Sequence, residues 1–69
     1  MLPHHQTIAA INHIFERVAE RSAVEHREAE VAFGQASTRE NHRRMRCALA
    51  RRTHARTRLA WARNVEAAS

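Results

Sequence analysis

The side chains that could do chemistry are six His (4, 5, 13, 26, 42 and 54), one Cys (47), seven Glu and twelve Arg. Two ligands share a helical face when they stand three or four residues apart, and no two of these His do. The Glu-x-x-His motif of carboxylate-bridged helical metal sites is missing too. The residues three before His13, His26, His42 and His54 are Ala10, Ala23, Arg39 and Arg51. His13, Glu16 and Glu20 would share a face, but a single trio closes no coordination sphere. His4 and His5 read as solvated. Nucleophilic catalysis fares no better. There is no Asp to complete a Ser-His-Asp arrangement, and one Gly cannot build a phosphate-cradling loop. Cys47 has Arg43, Arg44, Arg46 and Arg51 around it, which would favour a thiolate. No His stands a helical turn away to take its proton, so it reads as a small half-buried thiol. The expectation is a protein with no catalytic residues, no metal and no cofactor.

Arginine is the remaining chemistry. Between Arg43 and Arg63 there are eight Arg and no acid. Such density neutralises phosphates in nucleic-acid-binding proteins. On a helix, however, these Arg spread over several sides: Arg43 and Arg46 on one, Arg51 and Arg58 on another, and Arg52, Arg56 and Arg63 on a third. No single strip is left to follow a groove. A hairpin turning near residue 35 would set position i beside roughly 71 − i, placing Glu20 near Arg51, Glu25 near Arg46 and Glu28 near Arg43. Exposed pairs of this kind contribute about 0–1 kcal/mol each while quenching much of the charge. At the open end, Arg56, Arg58 and Arg63 would face residues 8–15, which hold no acid, and Trp61 lies among them. Arg and Trp are enriched at binding hot spots. The candidate partner-binding residues are therefore Arg56, Arg58, Trp61, Arg63, Arg43 and Arg46. The competing reading makes Trp61 a core residue and the Arg a complement to the helix dipole.

The elements that position these residues are two long helices. The only Pro is Pro3 and the only Gly is Gly34. Pro suits the first turn of a helix and Gly the left-handed residue that closes one. Ser37-Thr38-Arg39-Glu40 fits a capping box with Ser37 as the cap. The reading is a helix over 3–33, a turn over 34–37 and a helix over 38–67, each about 45 Å long and antiparallel to the other. At 100° per residue, Ile8, Ile11, Ile14, Phe15, Val18 and Phe33 fall on one arc of the first helix, with Ser22 and His26 in its middle. On the second helix, Met45, Leu49 and Leu59 join Ala48, Ala55 and Ala62 in a stripe interrupted by Arg52 and Arg56. The expected core and dimer contacts are Ile8, Ile11, Phe15, Val18, Phe33, Met45, Leu49 and Leu59. A second stripe on that helix, Cys47, Ala50, His54, Trp61 and Val65, calls for a second neighbour. The fold class expected is all-α, an antiparallel helical hairpin dimerising into a four-helix arrangement.

A chain of 69 residues forms one domain. Residues 1–36 carry net −2 and residues 37–69 net +7, together the +5 of the whole. The start, Met1-Leu2-Pro3-His4-His5, has neither the basic nor the apolar region of a signal peptide. No apolar run approaches the roughly 18 residues of a membrane span. With the lone Cys47, this points to the cytoplasm. A helix-turn-helix needs a short helix crossing to a recognition helix, and two long rods leave no room for one. A basic zipper fails because no heptad follows the Arg-rich stretch.

A Lys-free, Arg- and Ala-rich chain of this length, folding about Gly34 and the Ser37–Glu40 cap, resembles the small early proteins of temperate phages of GC-rich bacteria. It is similar in particular to the anti-quorum-sensing kind, which are short helical dimers. The likeness spans the whole chain in size and architecture and includes no diagnostic motif. It implies a host-takeover protein that binds and disables a host transcriptional regulator of the quorum-sensing type and acts on the pilus-assembly ATPase. On that reading Glu16, Glu20, Glu25 and Glu28 are rival contact residues, since a basic regulator would seek the acidic helix. Two alternatives stand beside it: a basic helical nucleic-acid-binding protein, and an assembly subunit that docks through its second stripe.

Overall fold

The computed structural model describes residues 4–68. It is an all-α antiparallel hairpin of two helices, α1 (His4–Gln35) and α2 (Arg39–Ala68), measuring 52 × 14 × 14 Å. Neither helix contains a Pro; α1 is rich in Ala and Glu and α2 in Ala and Arg, residues that lose little on entering a helix. The expected start at Pro3 lies outside the described residues.

The turn differs from the sequence expectation in three ways. Gly34 does not close α1: it has no positive φ, and the helix continues through Gln35. Ser37 does not cap α2. Its hydroxyl donates to the Phe33 carbonyl at 3.2 Å, one turn back into α1. Thr38 caps instead, its Oγ1 accepting from the Asn41 backbone N–H at 3.1 Å. Asn41 then ties both helices to the link. Its Nδ2 donates to the Ala36 carbonyl at 2.9 Å and the Ala32 carbonyl at 3.3 Å, which also accept the backbone N–H groups of Thr38 and Ala36. Phe33 and His42 close this end, their ring centroids 5.4 Å apart.

The seam between the helices follows alternating steps of four and three. On α1 it runs Ile8, Asn12, Phe15, Ala19, Ser22, His26, Ala29, Phe33, and on α2 Asn41, Met45, Ala48, Arg52, Ala55, Leu59, Ala62, all buried or half-buried. A repeat of 3.5 rather than 3.6 residues keeps a contact line facing its partner along two supercoiled helices. This moves the core away from the expected arc. Of the expected core and dimer contacts, Ile11, Val18 and Leu49 are exposed on the single hairpin and lie off this seam; Ile8, Phe15, Phe33, Met45 and Leu59 are half-buried on it. The innermost apolar positions are small, with Ala29 at 1% and Ala48 and Ala62 at 2% exposure, and Ala55 is buried with them. Ala48, Ala55 and Ala62 recur every seventh residue, facing Phe15, Ser22 and Ala29 across the seam. Small side chains here let the two helices approach closely, and no large side chain is fully buried among the described residues.

Polar residues interrupt the seam. Asn12 Nδ2 donates to the Glu66 carboxylate. Arg52 Nη1 lies 3.1 Å from His26 Nδ1, which also lies 3.2 Å from Glu30 Oε1. Arg52 donates when Nδ1 is unprotonated, and a protonated Nδ1 donates to Glu30. Asn12 Oδ1 and Arg52 Nε are buried without a partner. Such layers cost stability and hold register, because a slipped pairing would strand the same groups against apolar neighbours. Asn12 with Glu66 and His26 with Arg52 put position i beside 78 − i. The sequence expectation of about 71 − i fails because α1 runs past Gly34 and the link is Ala36-Ser37-Thr38.

Candidate protein-interaction surface

One flank of the hairpin carries a groove of about 320 Å³ between the helices. Phe15, Val18, Ser22 and Ala55 supply its small and apolar lining, and Arg21, Glu25, Arg51, His54 and Arg58 its polar one. Seam spacing explains the arrangement. Val18 and Glu25 on α1, and Arg51 and Arg58 on α2, each stand one residue before a seam position, so all four border the same flank. Glu25 Oε2 and Arg51 Nε form an ion pair at 3.7 Å, crossing between the helices at the end of the groove nearer the turn. Arg21 and Arg58 have no ion pair among the described residues. Trp61 follows Arg58 by three residues and His54 by seven, which puts it on the same side of α2. It is 62% exposed. An indole left so open beside a free guanidinium and a small apolar groove is suited to capture: the ring supplies buried area, and Arg58 supplies a forked donor for a carboxylate.

The expected partner-binding residues do not form one patch. Arg58 and Trp61 stand together on the groove flank. Arg56 and Arg63 lie on the opposite flank with Leu49. There Arg63 Nη2 meets Glu16 Oε1 at 3.4 Å, so the expectation that no acid faces Arg63 is corrected by the register. Arg43 and Arg46 lie near the turn, on the outer side of α2. They border a shallow depression with Arg39, His42, Cys47 and Ala50, and neither has an ion pair among the described residues. The expected pairs Glu20–Arg51, Glu25–Arg46 and Glu28–Arg43 do not form, since Arg51 takes Glu25. Cys47 is exposed rather than half-buried.

Comparison with family models, curated proteins and solved structures finds no match. The surface itself therefore carries the argument. Among the described residues no three of His, Cys, Asp and Glu stand together as a metal site. No described helix is long and apolar enough to cross a membrane.

The outer face of α1 carries exposed apolar residues that the 100° arc does not single out. Of seven large apolar side chains left open among the described residues, Ile11, Ile14, Val18, Val24 and Val31 are on α1, and Leu49 and Trp61 are on α2. Of the second stripe expected on α2, Cys47, Ala50 and His54 are exposed but not large and apolar, and Val65 is half-buried. The signal was present in the sequence: with 15 and 22 on the seam, the 3.5 repeat puts 14, 24 and 31 outside it.

Proposed function

We propose that this hairpin is a non-catalytic protein-binding inhibitor or adaptor that works by occupying a surface of another protein. The observation that carries this reading is Trp61, open to solvent one helical turn from the unpaired Arg58, which itself lines a groove with apolar residues. The occupant that fits is an amphipathic segment with acidic residues, its apolar side against Phe15, Val18 and Trp61 and its carboxylates toward Arg58. Size, Arg-rich composition and hairpin architecture further support a phage-borne protein acting in the host cytoplasm. Its target there is a host transcriptional regulator of the quorum-sensing type, with the pilus-assembly ATPase as a second target.

The test is capture from nuclease-treated host lysate by wild-type protein and by Trp61→Ala, with helicity followed by circular dichroism. Wild type retains a host protein, and the variant loses it while keeping its helix content. Equal capture by both removes Trp61 from the interface and the proposal with it.

One observation favours a nucleic-acid-binding reading. Arg39, Arg43 and Arg46 line one outer side of α2 with His42, without acid partners among the described residues. Mobility shift at two salt concentrations decides it. Three phosphate contacts give a slope of log affinity against log salt near −2.7 on duplex DNA. A flat response with weak affinity leaves the protein-binding reading in place.

A further inference from the structure

The outer face of α1 has its own seam. Ile14, Arg17, Arg21, Val24, Glu28 and Val31 are spaced by steps of three and four, the same repeat that builds the contact with α2, and all six are exposed. Ile14 is 58%, Val24 46% and Val31 55% exposed. The face is not smooth: Ile14, Arg17, Val18, Glu20, Arg21 and Val24 border a shallow depression, the kind of hole that receives a side chain from a neighbouring helix. Arg17, Arg21, Arg27, Glu20 and Glu28 have no ion pair among the described residues.

We infer that this face pairs with the same face of a second copy, α1 against α1 in antiparallel register, with position i opposite 45 − i of the second copy. Three pairs then occur twice each about a two-fold axis: Ile14 with Val31 of the second copy, Arg17 with Glu28, and Arg21 with Val24. Apolar meets apolar, opposite charges meet, and the Arg21 stem lies along Val24. On one border of this seam, Glu20 comes within two residues of the level of Arg27 of the second copy, again twice. Sliding one heptad toward the N-terminus sets Arg17 against Arg21, and sliding one heptad the other way sets Val24 against Glu28. The charge pattern thus selects one register, and a self-complementary face is what a two-fold interface requires.

Area points the same way. The hairpin exposes 5675 Å². A compact monomer of 8.0 kDa exposes about 4,450 Å². The surplus of roughly 1,200 Å² exceeds the roughly 800 Å² that each partner contributes to a standard interface. The seam reaches the groove at Val18 and Arg21 and leaves Arg58 and Trp61 on α2 open. The inference does not rest on the identity of any host partner, and loss of either surface reads out separately.

The experiment is sedimentation equilibrium of the full chain and of Arg17→Glu, Glu28→Arg and the double variant, with circular dichroism as a check on folding. These positions are exposed on the folded hairpin, so helix content stays unchanged. Each single reversal sets like charges together twice, and the dimer dissociation constant rises about tenfold or more. The double variant restores opposite charges and returns to within about threefold of wild type. A dimer indifferent to the single reversals overturns the inference. So does a double variant weaker than either single, or a dimer lost on Trp61→Ala with Arg17 and Glu28 intact. Capture of a host protein by a charge-reversed monomer would leave the Trp61 reading standing and separate the two claims.

Discussion

Arg52 is the most awkwardly placed residue in the hairpin. Its guanidinium enters the seam to reach His26, and its Nε is left buried without a partner. Replacing a buried polar cluster with apolar side chains is often stabilising, because desolvation is no longer opposed to folding. His26→Leu with Arg52→Leu is expected to raise stability by about 1–2 kcal/mol. In thermal melts at fixed protein concentration this is about 4–8 °C per kcal/mol. What the double variant loses is the layer that forbids slippage, so amide exchange at the turn becomes heterogeneous. An unchanged or lowered melting temperature would show that the His26–Arg52 contact outweighs its desolvation. The small seam residues behave in the opposite way. Ala55 faces Ser22 where the helices approach closely, so Ala55→Leu is expected to cost about 1–3 kcal/mol by forcing them apart. A variant as stable as wild type would mean the seam has room that its buried Ala do not suggest.

At the scale of the elements, the turn offers the clearest test. Gly34 is helical, and a Cβ added there meets nothing within 4 Å. Gly34→Ala is therefore expected to stabilise the hairpin by about 0.5–1 kcal/mol, whereas a left-handed closing residue would make the same change destabilising. Thr38→Ala removes the cap of α2 and is expected to cost about 1 kcal/mol, with Ser37→Ala costing less. Chemical denaturation of the three variants ranks them, and the reverse order of Thr38 and Ser37 would return the cap to Ser37. The helical hairpin was legible because Pro and Gly occur once each and near the ends of helices. The seam was not, because the 100° arc favours large apolar side chains, while the packed line runs through Ala, Ser, His and Arg. The recurrence of Ala48, Ala55 and Ala62 at seven-residue spacing was the overlooked signal. The register slipped with the turn: two extra residues of α1 and a three-residue link moved Glu25 to Arg51 and Glu16 to Arg63. Of the candidate site, Trp61 and Arg58 were legible as neighbours. Arg56 and Arg63 were misplaced beside them for the same reason.

At the scale of the whole molecule, two helices joined by a thin seam of small residues leave seven large apolar side chains in water among the described residues. Five follow the outer and groove-side faces of α1, and Trp61 lies on α2 one helical turn beyond Arg58, which lines the groove. Ion pairs among exposed side chains contribute too little to compensate for that exposure. Two surfaces are thus left for covering: the outer face of α1, proposed to pair with a copy of itself, and the Trp61 flank, proposed to meet a partner. Sedimentation equilibrium of the wild-type chain tests this most directly, at protein concentrations from about 1 to 100 µM. The expected result is a folded species of twice 8.0 kDa that dissociates on dilution into hairpins that keep their helix content. A fully helical, cooperatively melting species of 8.0 kDa across that whole range would contradict it.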